Sequence, residues 1–339
     1  MSESVRVRDA VSTGALVAAL AAIRAIPRSR ALALGARLGQ AWVDLGLPRT
    51  RVGLENLRTA FPDWSEERRR AVLRSSFANL GRSVVEIAHL ANLSEENLGE
   101  VISLEGLEHL ENARRGSRGV IALTAHFGNW ELFAAAMGAA GFPLTIVYRG
   151  REPVLEAVMR GWRERGETLM VARGSAARTT LKALRAGRVV AMTLDQDTPS
   201  SQGVFVPFLG RLACTRDAPA RIAMRTGAPV VPSFIFRRGE DARHVVRFAP
   251  ALELVAKGSN PEEAVLENVR RMVRAVEDVV RECPEQWTWN HRRWRTQPPG
   301  ETRPYLRGER LRARLAGAAP VEPEAPADST APPDDPQPR

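Results

Sequence analysis

From residue 119 onward the chain repeats one pattern: a short apolar run, a segment at helical spacing, then another apolar run. The runs at 119–125, 144–148, 168–172, 188–194, 229–236 and 244–249 read as strands. The segments 130–140, 152–165, 175–186 and 216–227 between them read as helices. Strands joined through helices of that length connect by crossovers, not hairpins. The predicted fold is therefore α/β, with a mainly parallel central sheet flanked by helices. Such a sheet buries both faces, and the 44% apolar content of the 339 residues is enough to supply that core.

The region before the sheet reads differently. Residues 10–112 carry helical spacing, with Leu32, Leu34, Leu38, Trp42 and Leu45 on one segment and Phe77, Leu80, Val84, Ile87 and Leu90 on another. Asn56-Leu57 and Ala60-Phe61-Pro62 close one helix, and Ser65 caps the next with Glu66 and Glu67 in its first turn. A long amphipathic helix is expected over 262–282, with Val265, Val269, Met272, Val273, Val276 and Val280 on one side. Three regions follow. Residues 1–30 form an N-terminal membrane-interface segment. Residues 31–305 form the α/β domain, helical over 31–112 and sheet-containing over 113–305. Residues 306–339 form a tail, basic and then rich in Pro, Ala and acids, with 317–339 expected to be disordered. The apolar run Ala15–Ile23 is interrupted by Arg24 and Pro27 and is short for a bilayer span. Flanking Arg6, Arg8, Arg24, Arg28 and Arg30 suit an interfacial or re-entrant helix, an ordinary buried helix being the other reading.

Within this frame one stretch concentrates chemistry: Thr124-Ala125-His126-Phe127-Gly128-Asn129-Trp130-Glu131. A strand delivers His126 to a Gly/Asn turn, and Glu131 follows in the first turn of a helix. On a continuous helix the two side chains would diverge. A break at Gly128, with Asn129 as helix cap, lets them converge. A base beside an orienting carboxylate is what acid–base chemistry on a hydroxyl needs. The plainer reading is a buried histidine and a glutamate favoured by the helix dipole.

Other chemistries lack their residues. Cys214 and Cys283 stand far apart and form no CxxC pair, and the five histidines include no HExxH, so neither a metal centre nor a disulfide framework is expected. GxGxxG, Walker and GxSxG patterns are missing, and no cofactor is expected. The net charge is +10; residues 317–339 hold five acids and one base, a net of −4, so residues 1–316 carry +14. A basic body suits an acidic carrier protein, anionic lipid head groups or nucleic acid. The aromatics do not form a base-stacking pattern, which argues against nucleic acid.

His126-Phe127-Gly128-Asn129-Trp130-Glu131 strongly resembles the late acyltransferases of lipid A biosynthesis, members of the glycerolipid acyltransferase superfamily marked by His-x4-Asp/Glu. Further blocks resemble the same family in the same order. They are Val147-Tyr148-Arg149, Leu194-Asp195-Gln196-Asp197 with Gly203 to Gly210, Pro229-Val230-Val231-Pro232, and Pro284-Glu285-Gln286-Trp287-Thr288-Trp289-Asn290-His291-Arg292-Arg293-Trp294. Asn56-Leu57 with Phe61-Pro62 matches its N-terminal region, so the resemblance covers roughly 20–305.

The resemblance implies an O-acyltransferase at the cytoplasmic face of the inner membrane, peripheral or singly anchored. Its donor would be an acyl carrier protein thioester and its acceptor a hydroxyl of a lipid A precursor. It implies His126 as general base oriented by Glu131, with no covalent acyl-enzyme. Backbone N–H groups at Gly128 and Asn129 are oxyanion candidates. Arg149, Asp195, Gln196, Pro207 and Phe208 are candidate substrate contacts, Arg149 through phosphate and Asp195 through a sugar hydroxyl or a basic group. Trp287, Trp289 and Trp294 among Arg292, Arg293 and Arg295 suit either a membrane interface or packing on the sheet. Two alternatives stand beside this reading: an acyltransferase of another glycolipid, such as a phosphatidylinositol mannoside, using acyl-coenzyme A; and a non-catalytic protein that binds anionic membranes or nucleic acid.

Overall fold

The computed structural model describes residues 18–305 except 90–94, 117–118, 143, 149–167, 173–175, 240–242, 257 and 302–303. Arg149, the expected helix at 152–165, the first seventeen residues and the tail at 306–339 lie outside it.

The centre is a seven-stranded sheet in the order β1-β9-β8-β2-β5-β3-β4. Its strands are β1 (Ile102–Glu105), β2 (Val120–Thr124), β3 (Leu144–Tyr148), β4 (Leu169–Ala172), β5 (Val189–Thr193), β8 (Val230–Arg238) and β9 (Arg243–Phe248). All six expected strands are present. Every neighbouring pair is parallel except β8 and β9, which run antiparallel. The short link between those two leaves no room for a crossover helix. β1 was not expected. Ile102-Ser103-Leu104-Glu105 lies inside the stretch read as helical, yet it leaves the preceding helix and pairs with β9 at the sheet edge. Four residues carry too little periodicity to announce themselves. A separate antiparallel hairpin joins β6 (Gly203–Phe208) to β7 (Arg211–Arg216).

The helices are α1 (residues 18–25), α2 (Arg28–Asp44), α3 (Thr50–Ala60), α4 (Glu66–His89), α5 (Glu95–Val101), α6 (Leu107–Arg115), α7 (Trp130–Ala139), α8 (Ala176–Arg185), α9 (Ala218–Thr226) and α10 (Pro261–Glu282). Alternation along the strands divides the interior into two layers. Ile121, Leu123, Val190, Met192, Phe234 and Phe236 face the layer holding α3, α4 and α10. Val120, Ala122, Val189, Ala191, Val231 and Ile235 face the layer holding α5, α6 and α7. α10 buries the expected stripe, Val265, Val269, Met272, Val273, Val276 and Val280. Pro261 at its start and Asn260, whose side chain accepts from the Glu263 N–H, fix where it begins. Ser65 caps α4 as expected, its Oγ accepting from the Arg68 N–H at 3.1 Å.

The N-terminal stripe is only half core. Leu32 is buried on α2, but Leu34, Leu38, Trp42 and Leu45 are exposed. α2 and α4 meet along small residues: a Cβ on Gly39 would stand 2.0 Å from the Phe77 carbonyl oxygen, and one on Gly81 2.0 Å from that of Gly35. Among the described residues no helix is long and apolar enough to cross a membrane.

Candidate active site

β2 and β5 are parallel neighbours whose register sets Thr124 beside Thr193. Two residues beyond each pair partner, at the carboxyl ends where open α/β sheets place ligands, stand His126 and Asp195. The Nδ1 of His126 lies 3.0 Å from Oδ1 of Asp195. Oδ2 accepts the His126 backbone N–H at 2.9 Å and the Trp287 indole N–H at 2.9 Å. Asp195 is 1% exposed and the His126 side chain 26% exposed, so the pair is buried at the carboxylate and open at the imidazole. Burial works against the charged carboxylate, but the charge of His126 and the hydrogen bonds from His126 and Trp287 outweigh it and hold Asp195 at about 2. Burial also depresses His126. The Asp195 charge and hydrogen bond overcome this, with a smaller contribution from the Glu131 charge, so its pKa is raised.

The turn after His126 is built by close approach. Gly128 has φ +58°, and a Cβ there would stand 2.0 Å from the Ile235 carbonyl oxygen. Only glycine fits both the left-handed backbone and the space. A C-terminal strap clamps this turn. The Gly128 N–H donates to the Gln286 carbonyl at 2.9 Å, Phe127 bridges to Trp287, and the His126 carbonyl accepts from the Thr288 N–H and hydroxyl at 3.1 and 2.8 Å. The strap is held from the helical region: Ser76 Oγ donates to the Trp287 carbonyl at 2.7 Å, and Asn56 Nδ2 to the Trp289 and His291 carbonyls at 2.6 Å each. The Trp130 ring stands edge-on to His126, 5.4 Å between centroids.

Behind the turn lies a buried ionic cluster. Glu86 accepts from Arg237, from His244 Nε2 at 3.0 Å and from Asn129 Nδ2 at 2.8 Å, and all four residues are at most 6% exposed. Burial opposes the Glu86 charge, yet its hydrogen bonds to His244 and Arg237 bring its pKa to about 2. His244 is lowered, first by burial.

The family described as bacterial lipid A biosynthesis acyltransferase matches residues 2–296. The chain belongs to this family. It is 30% identical over 292 residues to the lipid A biosynthesis myristoyltransferase of Escherichia coli (strain K12), covering 86% of this chain and 89% of that one. It is 28% identical over 269 residues to the lipid A biosynthesis lauroyltransferase of the same organism, covering 79% and 86%. The palmitoleoyltransferase of that organism matches at 26% over 275 residues, covering 80% and 87%. The chain is an acyltransferase.

The acyltransferase rearranges the roles expected of several residues. The carboxylate on Nδ1 of His126 is Asp195, the position given to Glu131 from the sequence; Glu131 acts on the ring through its charge. Asp195, expected as a substrate contact, turns both oxygens to the site itself: Oδ1 faces His126 Nδ1, and Oδ2 accepts the His126 backbone N–H and the Trp287 indole N–H. The Gly128 N–H, expected as an oxyanion donor, is bonded to the Gln286 carbonyl. Asn129 occupies the N-cap position of α7, but its carboxamide turns inward to Glu86 and does not cap. Phe208, expected as a substrate contact, is 1% exposed and packs on Trp287 and Trp294 at centroid separations of 5.4 and 5.9 Å. Pro207 and Gln196 are exposed.

Trp287, Trp289, Trp294 and Arg293 are at most 1% exposed, so the strap is packed on the protein and not on a membrane. His291 accepts the Asp197 N–H through Nε2 at 2.9 Å, and burial brings it to about 4. The sequence did carry one signal for the Asp195 pairing: the apolar runs 119–125 and 188–194 each end immediately before a titratable group. Only the strand order, which the sequence does not print, makes them neighbours.

Proposed function

We propose that this acyltransferase moves a fatty acyl chain from an acyl carrier protein thioester to a hydroxyl of a lipid A precursor, with His126 as general base and Asp195 as its orienting carboxylate. The observation that carries this is the His126–Asp195 pair, buried at the carboxylate and open at the ring. Asp195 takes the Nδ1–H and leaves a lone pair on Nε2, the tautomer a base requires. Nε2 removes the hydroxyl proton as the oxygen attacks the thioester carbonyl. The tetrahedral intermediate then collapses: the C–S bond breaks, the new ester C–O bond remains, and the imidazolium returns its proton to the leaving thiolate. Asp195 and the Glu131 charge stabilise the imidazolium between these steps. The Asn129 backbone N–H is the remaining oxyanion donor in this reading.

The basic body, +14 over residues 1–316, supports an acidic carrier and an anionic surface. The exposed apolar side chains of α2 and the basic N-terminal segment support peripheral attachment to the inner membrane from the cytoplasmic side. The test is an acyl-transfer assay with labelled carrier thioester and acyl-coenzyme A as rival donors and lipid A precursor and phosphatidylinositol mannoside as rival acceptors. Transfer from the carrier to the lipid A precursor is expected, reduced at least about a hundred-fold in His126→Ala. A folded His126→Ala protein within threefold of wild type would refute the mechanism, and preference for the other pair would refute the substrates.

A further inference from the structure

A cavity of about 410 Å³ opens beside the buried cluster that holds the catalytic turn, lined by Arg24, Ile26, Arg28, Glu86, His89 and Leu132. Its charges do not cancel. Glu86 is already paired with Arg237 and hydrogen-bonded by His244 and Asn129. Arg24 gives its Nε–H to the Ala88 carbonyl at 2.7 Å, a neutral acceptor. The Nε of Arg28 is buried and meets no acceptor among the described residues. The cavity thus presents two guanidinium groups in excess of its acids. A buried donor without a partner is costly, and an anion reaching it would relieve that cost.

The residue that closes one side, Ile26, also lines an apolar trough of about 360 Å³ between α2 and α4, walled by Leu34, Leu38, Trp42, Leu80 and Val84. Leu34, Leu38, Trp42 and Val84 are 47%, 62%, 43% and 48% exposed, so the trough is open to an aliphatic chain. The other side of the cavity touches the catalytic machinery. Leu132 follows Glu131 on α7, and Glu86 holds Asn129 at 2.8 Å.

The geometry points to a lipid-phosphate site: Arg24 and Arg28 receive the phosphate of the acceptor lipid, and the trough receives one of its acyl chains. A soluble phosphate would satisfy the arginines but leave the trough open. A neutral lipid would fill the trough and leave Arg28 unmatched. An amphiphile carrying both groups answers both, and the position against the catalytic turn makes it the acceptor. Arginine suits the phosphate because its planar fork donates two parallel hydrogen bonds. This assignment rests on the proposal that the acceptor is a lipid. Its test is a binding measurement without acyl transfer, so the two can fail separately.

The full chain is titrated by calorimetry with dioctanoyl phosphatidic acid, dioctanoylglycerol and inorganic phosphate. Phosphatidic acid is expected to bind more tightly than either of the others. Arg28→Gln should weaken phosphatidic acid about ten- to a hundred-fold, the loss of one charge-assisted hydrogen bond converted to affinity. The same change should leave dioctanoylglycerol unaffected. Leu38→Asp should weaken both lipids and leave inorganic phosphate unaffected. Arg28→Lys keeps the charge without the fork and should lie between wild type and Arg28→Gln; it carries the test should the glutamine variant not fold. In steady-state assays Arg28→Gln should raise KM for the acceptor and not for the donor. Equal phosphatidic acid affinity in wild type and both Arg28 variants would overturn the site. Inorganic phosphate binding as tightly as phosphatidic acid, with no effect of Leu38→Asp on the lipid, would overturn the lipid assignment.

Discussion

Asp195→Asn tests the pairing at the centre of the site while changing almost no volume. In the wild-type protein Oδ2 accepts two N–H groups, from His126 and Trp287, and Oδ1 faces Nδ1 of His126. An asparagine has one acceptor oxygen. Placing it where Oδ2 stood keeps both N–H bonds and leaves the carboxamide NH2 facing Nδ1. A donor there forces Nδ1 to accept, which puts the imidazole proton on Nε2, where the base must have a lone pair. The opposite placement would leave two buried N–H donors facing an NH2 group, at about 1–3 kcal/mol each, so the first arrangement wins.

The expected fall in kcat is about a thousand- to ten-thousand-fold, the scale of a wrong-tautomer substitution in serine-protease triads. Binding of the donor should change little. A second signature separates this from a general disturbance. Asp195 raises the His126 pKa against the effect of burial. The base works when neutral, so wild-type activity climbs as pH rises through that raised value. With the carboxylate gone, the residual activity should climb at lower pH. The assay is single-turnover acyl transfer across pH, with thermal melts confirming the fold. A folded Asp195→Asn protein with kcat within threefold of wild type and an unmoved acid limb would refute the argument.

Three further outcomes follow from the same structure. Gly128→Ala adds a left-handed strain of roughly 1–2 kcal/mol and a methyl 2.0 Å from the Ile235 carbonyl oxygen, so it should lower the melting temperature and the turnover together. Glu86→Ala leaves Arg237 buried without its acid and should cost about 3–5 kcal/mol by denaturant titration. The Glu86 pKa is depressed to about 2, so its stabilisation is complete above the ordinary carboxylate value and lost as pH falls toward 2; the gap between wild type and variant should narrow across that range. Phe208→Ala should destabilise by about 3–5 kcal/mol with KM unchanged for both substrates; a raised KM at unchanged stability would return Phe208 to the substrate site.

What the sequence displayed and what it concealed divide along physical lines. Strands such as Val120–Thr124 announce themselves because burial on both faces demands an unbroken apolar run. The α10 stripe and the Ser65 cap are equally local, each set by residues within a turn or two of one another. His126 was legible because a histidine at a strand end before a Gly/Asn turn is itself a local pattern. Its partner was not. Asp195 lies 69 residues away, and the two meet only because β5 inserts between β2 and β3 in the sheet. Glu131 drew the role from its spacing across the Gly128 turn and from the His-x4-Asp/Glu pattern, both read within six residues of chain. Phe208 fell to the same limit: its alternation on β6 says that one face is buried, not that the face meets Trp287 and Trp294. The exposed half of the α2 stripe went unread because helical spacing reports a face without saying what covers it.

The strap that clamps the catalytic turn has a consequence in time as well as in space. The His126 carbonyl is held by Thr288, 162 residues later in the chain. During synthesis the strand and turn that carry the base exist long before the segment that seats them. A contact so distant in sequence closes late, because the loop entropy must be met before it forms. The nascent chain therefore carries the His126–Asp195 pair before the Trp287 indole that donates to Asp195 has been translated. The His126–Asp195 site is complete only once the segment carrying Trp287 and Thr288 has been translated and has docked.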